Sequence, residues 1–167
     1  LSLMNILFDA RPIRSPHTGV ATYCSEFLMH ATVRPENDVV AYLQSYRNKN
    51  MEAETFLRSC NLTDFINQTN FPRKIENLVQ EFSSLQPLGL DEPDRFDVVH
   101  QTYFANLNCK KARLVSTVHD VIPIEAPQLF NKMNGFFSKK NLKRQVLLSD
   151  AIIAVSKYTK DRILAHY

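Results

Sequence analysis

The sequence predicts an α/β fold, a doubly wound and mainly parallel sheet, on three observations. Five short runs are apolar or nearly so, segments with helical spacing lie between them, and polar residues gather just past their ends. Strands buried on both faces read as continuous apolar runs, unlike the alternation of a sheet with one wet face. Runs of this kind, alternating with amphipathic helices, predict a sheet covered on both sides, with right-handed crossovers between parallel neighbours.

Ile6-Leu7-Phe8 is the first expected strand. Ala21, Cys24, Phe27, Leu28 and Ala31 then recur at intervals of three and four behind Thr18, a capping residue type, and predict the first helix. Val39 to Leu43 is the second strand. The pattern from Asn48 to Asn70 is less legible, with Met51 to Leu57 fitting a helix and Asp64 to Asn67 a weak edge strand. Ile75, Leu78, Val79, Phe82 and Leu85 predict a further helix behind Pro72. Gln86 to Arg95, with Pro87, Gly89 and Pro93, reads as a loop returning the chain to the sheet. Phe96 to Val99, Leu114 to Val118 and Ala151 to Val155 complete the set of strands.

Composition agrees with one ordinary globular domain: 167 residues, 44% apolar and 22% charged. A chain of that length buries roughly 70% of its unfolded surface, enough for a core without disulfides or metal. Twenty basic against 17 acidic residues leave a charge of +3, which calls for no nucleic-acid partner. Three cysteines, Cys24, Cys60 and Cys109, form neither a zinc pattern nor a disulfide framework, and fit a reducing, cytoplasmic setting. The N-x-T triplets at Asn61 and Asn67 read as chance matches without a signal peptide. No apolar stretch approaches the roughly 20 residues of a membrane helix. Leu1-Ser2-Leu3 precede Met4, the expected native start, and read as residues foreign to the native chain, so that the domain runs from 4 to 167.

In an open α/β sheet, ligands bind beyond the carboxyl ends of the strands. Here those ends are polar: Asp9-Ala10-Arg11, His100-Gln101-Thr102-Tyr103, His119-Asp120 and Ser156-Lys157. A dinucleotide cradle or a P-loop needs clustered glycines, and the chain has only Gly19, Gly89 and Gly135. Gly19 alone falls between the first strand and its helix, where the missing side chain would let a ligand approach the helix N-terminus. No Gly-x-Ser-x-Gly or His-Glu-x-x-His is present. His100 and His119 lie on separate strands with no third ligand identified, so no metal is expected.

Met4-Asn5-Ile6-Leu7-Phe8-Asp9-Ala10-Arg11-Pro12, then Thr18-Gly19-Val20 and Tyr23, resembles the opening of group 1 (family 4) glycosyltransferases. The resemblance continues in order through Asp97-Val98-Val99-His100, Tyr103-Phe104, Thr117-Val118-His119-Asp120-Val121-Ile122-Pro123, and Ser149-Asp150 to Lys160. It covers almost all of Met4 to Tyr167, and the His119 and Asp150 blocks are its specific parts. It implies the Rossmann-like, acceptor-side N-terminal domain of a GT-B enzyme that moves a sugar from a nucleotide-sugar donor to an acceptor hydroxyl with retention, in cell-surface polysaccharide or glycolipid synthesis. The nucleotide sugar is then a substrate, and no cofactor is expected.

By the same resemblance, His119 faces the transferred sugar, and the Thr18-Gly19 loop approaches the donor phosphates and the acceptor. Asp9, Arg11, His100 and Asp120 join them on the rim. Tyr103 and Phe104 belong to an acceptor pocket or to plain core packing. Ser156 and Thr159 match a helix start at the domain boundary, which capping alone also explains. Many members carry a second glycine where this chain has Ala21, which bears on how closely phosphates approach the loop. The family's donor-binding C-terminal domain, with its basic pair and paired glutamates, is expected after Tyr167 and is absent from this chain, so the chain alone is expected to be inactive. Lys132 to Arg144 carries five cations and no acid beside Met133, Phe136 and Phe137, and reads either as a peripheral contact with the inner face of a membrane or as a solvated helix face. The rival class is a non-catalytic α/β binding or regulatory module with the same fold. A flavodoxin-like nucleotide-binding enzyme is disfavoured by the glycine-poor first loop.

Overall fold

The computed structural model describes residues 3–14, 18–45, 51–62, 65–69, 93–102, 107, 109, 111–130 and 132–167. Six strands form one sheet: β1 (Met4–Asp9), β2 (Asn37–Ser45), β3 (Phe65–Thr69), β4 (Val98–Gln101), β5 (Arg113–Val118) and β6 (Ala151–Ala154). Their order is β3-β2-β1-β4-β5-β6 and every neighbouring pair is parallel. The helices are α1 (Gly19–Ala31), α2 (Met51–Ser59), α3 (Ile122–Glu125), α4 (Lys132–Leu148) and α5 (Lys157–His166). The doubly wound α/β expectation therefore holds, down to the weak edge strand, which is β3. The helix expected over 75–85 and most of the loop before β4 lie outside the described residues.

Side-chain alternation along the central strands sends two sets of residues to opposite faces. Ile6 and Phe8 pack with Val39, Ala41 and Leu43 of β2, Cys24, Leu28 and Ala31 of α1, and Ala53 and Leu57 of α2. Leu7, Val40, Tyr42 and Val99 turn the other way, against Phe96, Leu107 and Cys109. Around the end of β5, Val118, Val121, Leu142 and Ile163 form a third cluster with α4 and α5. Thr18 caps α1 as expected, its Oγ1 accepting from the Ala21 amide at 3.2 Å. Asn61 stands just past α2 with φ of 59°, a left-handed position that asparagine tolerates, and the Leu62 amide bonds back to the Leu57 carbonyl.

Two expectations need correction. The Phe96 strand is displaced by two residues: Val98 to Gln101 pair with β1 and β5, so His100 lies inside the strand rather than beyond it. The apolar run at Ala151 suggested burial on both faces, but β6 is an edge strand on which Ile153 is 40% exposed. Apolar content reports what a strand can bury, and its place in the sheet order decides what is covered.

At the amino ends of the strands, two aspartates hold neighbouring backbones. Asp97 Oδ2 accepts from the Asn5 amide at 2.8 Å and from Asn5 Nδ2 at 3.1 Å. Asp150 Oδ2 accepts from the Leu114 amide at 2.8 Å, and its Oδ1 from Arg113 Nη1 at 2.9 Å. The Leu114 amide is the main cause holding the Asp150 carboxyl below its ordinary pKa. These bonds start β1 and β5 in register with their neighbours, which is why an aspartate precedes both β4 and β6.

At the carboxyl end of β1, the chain enters a 3-10 turn, Arg11–Arg14, closed by an ion pair. Asp9 is fully buried; its Oδ1 accepts from Arg11 Nε at 2.7 Å and its Oδ2 from Nη2 at 3.0 Å. The guanidinium lies 5.4 Å from the centroid of the Tyr42 ring. A two-pronged pair of this kind becomes costly when one member goes, because the other is left charged without its partner. Arg11→Met is expected to lower the unfolding free energy by about 3–5 kcal/mol, read as an earlier urea midpoint at unchanged slope. A loss below about 1 kcal/mol would mean that the pair behaves as a solvated one.

Candidate functional site

The strand order reverses between β1 and β4, since β1 has β2 on its far side and β4 has β5. A crevice at the carboxyl ends follows from that reversal, because the crossovers leave on opposite faces. Phe8 is registered with His100. The end of β1 is tied to the segment after β4 by Thr102, whose hydroxyl donates to the Asp9 carbonyl at 2.7 Å. Cys24 of α1 donates to Thr102 Oγ1 at 3.4 Å, and burial pushes its thiol up to about 12. The cysteine is thus a small buried donor with no thiolate to offer as a nucleophile near neutral pH.

His100 has only 3% of its surface exposed. Its ring stands edge-on to Phe8 at 5.1 Å and to Phe27 at 4.6 Å between centroids. Its Nε2 lies 2.8 Å from Thr117 Oγ1 of β5. Burial lowers its pKa to about 4, outweighing the opposing effect of Asp9, so the ring is neutral near neutral pH. Thr117 Oγ1 also lies 3.0 Å from the Tyr23 hydroxyl of α1. One hydrogen-bonded line thus runs from β4 through β5 to the first helix.

His119 follows β5, half-buried, with its ring at 82° to that of Tyr23 and 5.1 Å away. Burial lowers its pKa, while a hydrogen bond to the Thr102 backbone and the charge of Asp120 work against that. Its Nε2 is buried with no partner among the described residues.

The remaining rim positions divide by what they already hold. Asp9 and Arg11 are closed on each other and buried. Asp120 Oδ1 accepts from the Ile122 amide at 3.0 Å at the start of α3. Ser156 caps α5, its Oγ accepting from the Thr159 amide at 3.1 Å and donating to Thr159 Oγ1 at 3.0 Å. Gly19 opens α1, and a Cβ built on it would meet nothing within 4 Å among the described residues. Tyr103 and Phe104 lie outside the described residues. Among the described residues, no three His, Cys, Asp or Glu side chains stand together as a metal site.

Sequence reading missed Thr117 and treated Thr102 as one polar residue among several. The available signal was Ser116-Thr117 inside an otherwise apolar strand. Both are buried, Ser116 accepting from Ser149 Oγ at 2.7 Å. Two adjacent hydroxyls face opposite sides of a strand, so each must find a partner in a different layer.

Over residues 18–167 the chain matches the model of Glycosyltransferase Family 4. A crystal structure described as a UDP-N-acetylglucosamine 2-epimerase from Listeria monocytogenes is similar over 99% of this chain, with a TM-score of 0.63 and 13% identity. The chain spans 43% of the length of that structure. At such low identity the likeness is one of fold. No curated protein matches at a significant level.

Neutral burial of His100 has a consequence for stability. Above about pH 6.5 the ring is uncharged in both folded and unfolded chains, and between about 6.5 and about 4 only the unfolded chain takes up the proton. Stability should therefore fall as pH falls through that window, by roughly 3 kcal/mol from this group at about 1.4 kcal/mol per unit. Urea midpoints of the wild type and His100→Asn, compared from about pH 7 to about pH 4, check this. The wild type is expected to lose stability more steeply; parallel curves would show that the ring is not held neutral.

Proposed function

The chain belongs to glycosyltransferase family 4, and on that premise we propose that it is the acceptor-side domain of an enzyme transferring a sugar, with retention, from a nucleotide-sugar donor to an acceptor hydroxyl. A general role in glycosyl transfer follows from the family; retention, the nucleotide sugar and a setting in cell-surface polysaccharide or glycolipid synthesis belong to the proposal. One observation supports the site most directly. The buried His119 Nε2 has no hydrogen-bond partner among the described residues, at the carboxyl end of a central strand. A buried polar nitrogen without a bond is costly, and a sugar hydroxyl, which can donate or accept, would supply that bond.

In this reading His119 holds a hydroxyl of the transferred sugar and fixes the reacting carbon, while the start of α1 at Thr18 and Gly19 receives anionic or hydroxyl groups. His119 works as a hydrogen-bonding group and not as a nucleophile. The developing charge on the leaving diphosphate needs donors and cations chiefly from a second, donor-binding domain. The chain by itself then has one wall of the cleft and transfers no sugar. Closing the cleft supplies the positioning, which can account for about 7–11 kcal/mol of barrier lowering.

The experiment is a panel of nucleotide sugars offered to the full-length gene product, to residues 1–167 alone, and to residues 1–167 with the remaining half added in trans. The expected result is consumption of one donor by the full-length protein and none by the chain alone. His119→Ala in the full-length protein is expected to lower turnover about a hundredfold with little change in unfolding midpoint. Normal turnover in that variant removes His119 from the site. A folded full-length protein that binds sugars and consumes none favours the non-catalytic module instead.

A second partner is proposed for α4. Lys139, Lys140 and Lys143 are exposed, Phe136 is 65% exposed, and Leu142 and Gln145 face the core. Among the described residues, no helix is long and apolar enough to cross a membrane. The proposed contact is therefore peripheral, at the cytoplasmic face where lipid-linked acceptors lie, with each cation contributing on the order of 1 kcal/mol. Co-sedimentation with anionic vesicles is expected at low salt and lost at high salt. No binding at low salt rules this contact out.

A further inference from the structure

Tyr23 stands between two histidines that the fold treats differently. Its ring meets His119 nearly edge-on, 5.1 Å between centroids, and its hydroxyl lies 3.0 Å from Thr117 Oγ1. Thr117 and His119 are two positions apart at the end of β5, on the same side of the sheet, so the threonine hydroxyl and the imidazole flank one phenol ring. Behind Thr117 stands the buried His100, with Nε2 at 2.8 Å. We propose that Tyr23 is the positioning residue that sets the His119 ring, and that His100 and Thr117 together anchor Tyr23.

Hydrogen-bond counting supports the arrangement in either tautomer of His100. If His100 Nε2 accepts, the single Thr117 proton goes to it and Tyr23 donates to Thr117. If His100 Nε2 donates, Thr117 is free to donate to Tyr23. Both contacts carry a hydrogen bond in either case, so the phenol is tethered at its far end while its ring bears on His119. Without that contact, the His119 imidazole loses the ring packed edge-on against it and is freer to turn about its side-chain torsions.

Rotation of the phenol is restricted further by its neighbours. Phe27 lies 6.4 Å from Tyr23 and stacks on Phe8 at 4.6 Å, and His100 lies 6.4 Å away on the same side. Burial raises the Tyr23 pKa, so the hydroxyl keeps its proton and can serve as a donor at neutral pH. Charged or titratable groups acting on His119 are Asp120 beside it and His100 from β4, with the phenol of Tyr23 packed on the ring. Tyr23 acts through His119 and is not itself assigned contact with a substrate.

The inference rests on His119 being the sugar-facing group, but its first test needs no sugar. NMR titration of His119 in the 167-residue chain reads its pKa and tautomer directly. In Tyr23→Ala the ring gains water, and its lowered pKa is expected to rise by about half a unit or more, with mixed tautomers. Tyr23→Phe and Thr117→Val are expected to move it the same way by less, and Thr117→Ser, which keeps the hydroxyl, to restore the wild-type value. Unchanged pKa and tautomer in a folded Tyr23→Ala overturn the proposal, as does failure of Thr117→Ser to differ from Thr117→Val. In the full-length enzyme, Tyr23→Phe should lower kcat several-fold with KM nearly unchanged; a change in KM alone overturns the positioning role. Loss of positioning by NMR without any sugar transfer in the wild type would count against the glycosyl-transfer reading and leave the positioning intact.

Discussion

The parallel pairing of β1 with β4 brings together stretches of chain about 90 residues apart and fixes where the two halves of the sheet diverge. Phe8 opposite His100 is the register point, and Thr102 bonding to the Asp9 carbonyl closes it just past the strand end. α1 then has to cross this seam, because the first helix after β1 packs over the strands on its own face. Cys24 and Phe27, three positions apart, and Tyr23, four positions before Phe27, each touch the seam or the residues beside it. A slip of one residue between β1 and β4 would turn His100 to the opposite face and leave Thr117 and Tyr23 without their shared partner.

The two histidines show how polarity and burial part company in such a frame. His100 carries a polar group into the core and has it satisfied there by a hydroxyl from the next strand, so it becomes part of the support. His119, one strand over and just beyond the strand end, is only half-buried and keeps one nitrogen unbonded within the described chain. The same side chain is bonded within the core in one position and left with an unpartnered nitrogen among the described residues in the other, where it lies after the ladder and not inside it. Asp9 and Arg11 follow the first pattern. They are rim residues by sequence position, yet their charges are spent on each other.

The strands were legible because burial on two faces leaves an unbroken apolar run, and α1 because Ala21, Cys24, Leu28 and Ala31 keep a strict helical spacing behind a capping threonine. Position within the sheet was not legible. Ala151 to Ala154 reads as a central strand because composition carries no information on which strand comes last, and the Phe96 run starts two residues before the ladder because Phe96 is buried by packing and not by pairing. At the site, the family motifs brought His119 and the Thr18-Gly19 turn into view. The roles of Tyr23 and Thr117 depend on contacts 94 residues apart in the chain, and no local pattern encodes a partner at that distance. The capping role of Ser156, by contrast, is a local matter of three residues and could be read directly.

Those long separations have a further consequence, for the divergence of the chain over evolution. Closing a flexible loop costs free energy that grows only with the logarithm of its length, so doubling the connection adds about 0.6 kcal/mol. The turn between α1, which ends at Ala31, and β2, which begins at Asn37, can therefore lengthen at little thermodynamic cost while the seam between β1 and β4 stays in place. Variation in chain length can accumulate in that turn, at the amino ends of the strands, and the residues at their carboxyl ends need not move to accommodate it.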